Sequence, residues 1–65
     1  MFIQNYYKNL WIKTDKIISV GYVKKLDFIF EIFVTTNENS YLVDSVRTKE
    51  EAESNLVKCL YKLSS

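Results

Sequence analysis

Residues 28–34 read Phe-Ile-Phe-Glu-Ile-Phe-Val, and this run decides the fold class. A β-strand places alternate side chains on opposite faces of its sheet. One face of this strand carries Phe28, Phe30, Ile32 and Val34, and the other carries Ile29, Glu31 and Phe33. Both faces are largely apolar. One face should meet the core, so the other needs a second covering element or another molecule.

The size and composition of the chain limit how it can be stabilised. A chain of 65 residues is one small domain, covering residues 1–65, and buries only roughly 60% of its unfolded surface. The lone Cys59 cannot form an intramolecular disulfide, and the absence of histidine argues against a zinc site. Aromatic residues make up 15% of the chain and can supply much of a core. We therefore expect a dense apolar core or self-association.

The net charge of +1 argues against a dedicated polyanion binder, although a local basic patch remains compatible with it. No apolar stretch approaches the roughly 20 residues that cross a bilayer, so we expect no membrane span. The start of the sequence lacks a basic segment followed by an apolar one, and only one thiol is present. These features predict a cytoplasmic setting.

The first two-thirds of the chain is typical of β-structure. β-branched and aromatic residues dominate its short apolar runs, and Asn37-Glu38-Asn39-Ser40 suits a hairpin loop. Gly21 lies inside a predicted strand, where glycine often marks a bulge or a close backbone approach. The sequence predicts a strand or ordered arm at 2–7, a short extended segment at 10–13, and strands at 17–23, 28–36 and 41–46.

The last third predicts a helix. Thr48-Lys49-Glu50-Glu51 fits a capping box, in which Thr48 accepts a hydrogen bond from the Glu51 amide. The apolar residues that follow recur at helical spacing and predict one buried stripe. That stripe comprises Ala52, Leu56, Cys59, Leu60 and Leu63. The predicted fold is α+β: an antiparallel meander of three to five strands with the C-terminal helix packed on one face.

Enzyme chemistry finds little support in the sequence. Without histidine the commonest general base is missing, and one glycine cannot form a phosphate-binding loop. Glu31 is the least ordinary acid because its neighbours are apolar, but no partner acid or base can be assigned to it. We expect Cys59 to act as a small buried hydrophobe. The sequence thus predicts a non-enzymatic protein with no cofactor and no bound metal.

The second face of the 28–34 strand is the preferred candidate for function. A contiguous apolar surface commonly marks an interface, and symmetric dimers are the commonest oligomers. We therefore predict a protein partner, preferably a second copy of this chain. The alternative, nearly as well supported, is that an N-terminal arm carrying Phe2, Tyr6 and Tyr7 covers this face within the monomer. The predicted interface residues are Ile29, Glu31 and Phe33, with Trp11 and Tyr22 beside them.

Single-stranded nucleic-acid binding is the second hypothesis. Aromatic side chains alternate with lysines in the first 25 residues, and aromatic platforms framed by lysines can stack bases. The simpler interpretation, which we prefer, is that the aromatics form the core and the lysines keep the surface hydrated. The residues of this alternative surface are Tyr6, Tyr7, Trp11, Lys13, Tyr22, Lys24 and Lys25.

A further pattern begins at Trp11. The segment Trp11-Ile12-Lys13-Thr14-Asp15-Lys16-Ile17-Ile18-Ser19-Val20 fits an aromatic–I–x–x–D–x–I–x–x–[IV] pattern. An apolar strand, a polar hairpin, the 41–45 strand and the helix beginning Thr48-Lys49-Glu50-Glu51 follow it. In this order of elements, residues 10–63 resemble small β-rich proteins of low-GC Gram-positive bacteria and of their phages and mobile elements. The resemblance implies a fold and no catalytic residues, and it suggests a modulator of a host protein.

Overall fold

The computed structural model of the chain describes residues 1–64 and has an α+β fold, as the sequence predicts. Five strands precede one helix, and a short 3-10 turn at Thr14–Lys16 separates the second strand from the third. The elements are β1 (Phe2–Gln4), β2 (Trp11–Lys13), β3 (Ile17–Leu26), β4 (Ile29–Thr36), β5 (Ser40–Val46) and α1 (Lys49–Ser64).

The strands form two antiparallel sheets. The strands β3, β4 and β5 make a meander with β4 at its centre, while β1 and β2 pair only with each other as an N-terminal hairpin. A backbone hydrogen bond of 2.8 Å from the Tyr6 amide to the Leu42 carbonyl connects this hairpin to β5. The 28–34 run therefore supplies the central strand of the larger sheet.

Residue Phe28 departs from the prediction. β3 continues to Leu26, and the tight turn falls at residues 27 and 28. A register irregularity between Lys24 and Leu26 lengthens this end of β3 by one residue. Phe28 consequently lies in the turn with 60% of its surface exposed, and it does not join the buried face of β4.

The rest of that face is buried as its alternation predicts. Ile32 is 1% exposed and Val34 is 0% exposed. Residues directly opposite each other share a face, and β3 places Tyr22 opposite Ile32 and Val20 opposite Val34. Phe30 is half-buried, and its ring centroid lies 6.1 Å from that of Tyr22 in an edge-on arrangement.

The N-terminal hairpin covers the same face of the sheet as the helix. Ile3 and Ile12, opposite each other in the hairpin, form a buried cluster with Val34. Cys59 of α1 packs against this cluster. The sequence left open, as the alternative to self-association, that an N-terminal arm covers Ile29, Glu31 and Phe33. The hairpin instead packs on the Val34 side of the sheet and does not cover those residues.

The helix begins with the predicted cap by the Thr48 side chain, whereas the Glu51 carboxylate bonds to the Thr48 hydroxyl. The hydroxyl of Thr48 accepts from the Glu51 amide at 3.1 Å and donates to the Glu51 carboxylate at 3.2 Å. Ala52 is fully buried, and Leu56, Cys59 and Leu63 are half-buried. The prediction for Leu60 is wrong: it is 48% exposed, because the side of α1 that meets the sheet is narrower than the predicted stripe.

A bulge in β5 lies beside a contact with the helix. The pairing of β5 with β4 shifts between Asp44 and Leu42, so that Val43 packs against the core and Asp44 also points toward α1. The Asn55 amide donates to Asp44 Oδ2 at 2.7 Å, and the Ser45 amide donates to Asp44 Oδ1 at 2.8 Å. The hydrogen bond between the Asn55 and Asp44 side chains thus connects α1 to β5.

The substitution Ile32→Ala tests the assigned core. It should lower the free energy of unfolding by about 2–5 kcal/mol, because it opens a cavity beneath α1. Leu60→Ala, which removes the same number of side-chain carbons from the exposed side, should change it by no more than about 0.5 kcal/mol. Urea unfolding followed by circular dichroism measures both. If Ile32→Ala does not fold, Ile32→Val should still cost about 0.5–1.5 kcal/mol, and equal losses at positions 32 and 60 would contradict the assignment.

Candidate interaction surfaces

The three-stranded sheet has one face without a covering element. Within residues 1–64, α1 and the N-terminal hairpin both pack on the Ile32–Val34 side. Pairing places Gly21 and Leu42 opposite Phe33, and Val23 and Ser45 opposite Glu31. We call the other side the outer sheet face. Its apolar and charged members are Val23, Leu26, Ile29, Glu31, Phe33 and Leu42.

Exposure on this face is uneven. Val23 is 52% exposed and Leu26 is 65% exposed, whereas Ile29, Phe33 and Leu42 are half-buried by their neighbours in the sheet. The apolar area is therefore concentrated toward the β3–β4 turn. Such a contiguous apolar area on a sheet is suited to contact with another molecule.

The charge of Glu31 at the centre of this face is balanced within the chain. The Lys25 ammonium lies 3.9 Å from the Glu31 carboxylate, and the Glu31 side chain is only 21% exposed. The register irregularity beside Lys25 allows this lysine to turn toward the face. An ion pair of this kind contributes at most about 1 kcal/mol to folding. Its larger effect is to leave no uncompensated charge in the middle of the apolar surface.

A shallow depression lies beside Phe33. It has a volume of about 420 Å³, and the backbone of Gly21 forms part of its floor. A Cβ atom added to Gly21 would meet no atom within 4 Å. Neither packing nor a left-handed backbone conformation therefore demands glycine here. Gly21 and Phe33 both line this depression.

The predicted interface residues fall into two groups. Ile29, Glu31 and Phe33 share the outer sheet face, as their alternation requires. Tyr22 lies on the opposite face because it pairs with the buried Ile32. Trp11 belongs to the N-terminal hairpin, which also packs on that opposite side. The structure therefore does not bring Trp11 or Tyr22 beside the other three.

The predicted nucleic-acid surface is also divided. Tyr6, Tyr7, Trp11 and Lys13 lie on the N-terminal hairpin or its turn, and the rings of the two tyrosines meet edge to face at 5.4 Å. Tyr22 and Lys24 lie near the β3–β4 turn on the helix side of the sheet, and Lys25 turns to the outer sheet face. The seven residues do not form one continuous platform.

A second surface was not predicted from the sequence. A groove of about 620 Å³ runs between the N-terminal hairpin and α1. The hairpin contributes two exposed aromatic residues, the helix contributes polar residues spaced three or four apart, and Val43 and Cys59 line the groove between these walls. We call this site the hairpin groove. The residues that matter for its chemistry are Phe2, Lys8, Trp11, Asn55, Lys58 and Lys62.

The turn that carries Lys8 is held by side-chain amides. The Asn5 Oδ1 atom accepts from the amides of Asn9 and Leu10, each at 3.1 Å, and Gln4 donates to the Lys8 carbonyl at 3.1 Å. These bonds support Lys8 in a left-handed conformation with φ of 63°. The ordered turn places Lys8 at the groove.

Metal-binding side chains and the thiol of Cys59 bear on the chemistry of the described residues. Residues 1–64 contain no cluster of three side chains suited to a metal ion. Cys59 is half-buried, and this burial raises the pKa of its thiol while the nearby Lys62 partly opposes the shift. Within the described residues, no helix has the length and apolar character needed to cross a bilayer.

Comparison of the chain with protein-family models, with curated proteins and with solved structures gives no match in any of the three. The geometry and charge of the two surfaces are therefore the basis on which a function can be proposed.

Replacing Gly21 by alanine should stabilise the fold. The added methyl group meets no neighbour, and alanine loses less backbone entropy on folding than glycine. We expect a gain of about 0.5–1 kcal/mol in the free energy of unfolding, measured by urea denaturation. A loss of stability would show that the space over Gly21 is needed within the monomer.

The Cys59 thiol should react slowly with a disulfide reagent in the folded protein. Burial raises its pKa, so a smaller fraction is thiolate near pH 8 than in the unfolded chain. The labelling rate should rise when urea unfolds the protein, in excess of the urea effect on a short cysteine peptide. Equal rates in the two states would contradict this placement of Cys59.

Proposed function

We propose that this protein is a non-enzymatic interaction protein that self-associates through its outer sheet face. The observation that carries the proposal is an apolar, charge-balanced face that residues 1–64 leave without a covering element. The fold places its helix and its hairpin together on the other side of the sheet.

The total surface of the chain supports this proposal. Its accessible surface is 4733 Å², whereas a compact monomer of 7.7 kDa should expose roughly 4,300 Å². Only six hydrophobic residues are buried within the described chain, and thirteen large ones are exposed. Val23 and Leu26 of the outer sheet face are among these thirteen exposed residues, so part of the exposed apolar surface lies where a second copy could cover it.

The size of the outer sheet face sets the expected strength of the contact. Three strands, each about eight residues long, span roughly 14 Å by 26 Å, or roughly 370 Å² in projection. Stable interfaces cover about 600–1,000 Å² of accessible surface on each partner. The face therefore supports a weak dimer, in which two sheets stack about 10 Å apart.

A second copy is the partner best suited to this surface. In a dimer with a twofold axis, each copy contributes the same patch to the interface, so the apolar side chains of one copy contact those of the other. Because Lys25 neutralises Glu31 within each chain, stacking brings together no unpaired charge. We place this self-association in the cytoplasm, and we infer from the resemblance to phage and mobile-element proteins that the biological role is to modulate a host protein.

The substitution Val23→Lys should weaken the proposed dimer. It introduces a positive charge into the apolar part of the outer sheet face, once in each copy. We expect at least a tenfold rise in the dissociation constant, measured by sedimentation equilibrium up to millimolar concentration.

Val57→Lys is the matched control. It makes the same change at an exposed valine, 49% exposed compared with 52% for Val23, on the side of α1 away from the sheet. This variant should associate like the wild-type protein. A wild-type protein that stays monomeric at millimolar concentration, or equal effects of the two substitutions, would overturn the proposal.

A further inference from the structure

We propose that the hairpin groove binds single-stranded nucleic acid, with bases stacked on Phe2 and Trp11 and phosphates placed against Lys8, Lys58 and Lys62. This inference does not depend on the outer sheet face, which lies on the other side of the sheet.

The hairpin presents its two aromatic rings for contact. Ile3 and Ile12 occupy the buried side of the hairpin, so alternation turns Phe2 and Trp11 to the other side. Phe2 lies opposite Lys13 and Trp11 opposite Gln4, which makes the two aromatic residues diagonal neighbours. They are 55% and 63% exposed, although the core has few large side chains. Exposed rings of this kind act as stacking platforms for bases.

The helix wall supplies positive charge. Asn55, Lys58 and Lys62 follow one edge of α1 at steps of three and four residues, and all three line the groove. The hairpin turn adds Lys8 from the opposite wall. Lysines on both walls can therefore contact the phosphates of one extended strand.

Among the described residues that line the groove, Asp44 carries the one carboxylate, and it is hydrogen-bonded. Asp44 accepts from the Ser45 amide through Oδ1 and from Asn55 through Oδ2. The described residues that line the site include three lysines and one carboxylate, so their formal charge is positive and favours an anion. The near-neutral charge of the whole chain does not prevent this, because screening at physiological salt confines electrostatic attraction to about 8 Å.

Nucleic acid suits the groove better than an acidic peptide does. Both ligands would place negative charge against the lysines, but every nucleotide also carries a flat aromatic face for the exposed rings of Phe2 and Trp11, whereas acidic side chains carry none. Lysine is a point charge that contacts phosphate without reading a base edge. The expected binding is therefore short-range and insensitive to sequence.

Trp11 is the only tryptophan of the chain and reports directly on stacking. The full-length protein is titrated with a ten-nucleotide oligothymidylate at low salt, and its tryptophan fluorescence is followed. We expect quenching, and a fall in log K with log salt concentration of slope about −2, which corresponds to three phosphate contacts on a single strand. Poly-glutamate of equal charge should produce much weaker binding.

Two pairs of variants locate the site. The double variant Lys58→Gln, Lys62→Gln should reduce the slope of log K against log salt concentration to about −0.7. The double variant Lys24→Gln, Lys49→Gln makes the same change outside the groove and should leave the slope unchanged. Phe2→Ala should weaken binding roughly 5- to 150-fold. Phe28→Ala, at a similarly exposed ring in the β3–β4 turn, should have no effect.

Absence of binding at low salt, or equal affinity for poly-glutamate, would overturn the proposal, and so would equal effects of the matched variants. Val23→Lys protein should bind the oligonucleotide like wild type, which separates this result from that on self-association.

Discussion

The contact of Val34 with Ile3 and Ile12 joins the two sheets of this small protein, and the arrangement of the other elements depends on it. Val34 is the point at which the central strand, the N-terminal hairpin and the helix meet, because Cys59 packs against the same cluster. A 65-residue chain has too little apolar volume for two such cores. The helix and the hairpin both pack at this cluster, and the other face of the sheet stays open.

The two surfaces follow from this shared core in different ways. The outer sheet face is the side of β4 that neither covering element reaches. The hairpin groove lies between the hairpin and α1, which are neighbours on the core and are separated by a cavity. On each surface a carboxylate has a partner within the chain. Lys25 pairs with Glu31 on the outer sheet face, and Asn55 donates a hydrogen bond to Asp44 in the hairpin groove. The position of α1 in the core therefore bears on both surfaces, because α1 leaves one face of the sheet open and forms one wall of the groove.

Local sequence patterns predicted the secondary-structure elements better than they predicted where those elements contact each other. The alternation around Ile32 and the helix cap at Thr48 are contained in a few consecutive residues, and the structure has both. Phe28 and Leu60 were misassigned because a bulge moved the turn and because the width of the helix contact depends on the sheet beneath it. Of the candidate sites, alternation was enough to place Ile29, Glu31 and Phe33 on one face. The hairpin groove could not be predicted, because residues some 50 positions apart in the sequence form its walls.

The single backbone hydrogen bond described between the hairpin and β5, from Tyr6 to Leu42, has a consequence for cooperativity. The hairpin is otherwise attached by the side chains of Ile3 and Ile12, so we expect its local opening to break few contacts. It is also one wall of the groove. Any ligand that touches both walls binds only the closed form, and by thermodynamic linkage it raises the stability of the whole core. A ligand bound in the hairpin groove would then slow the hydrogen exchange of the backbone amides at Ile3 and Ile12.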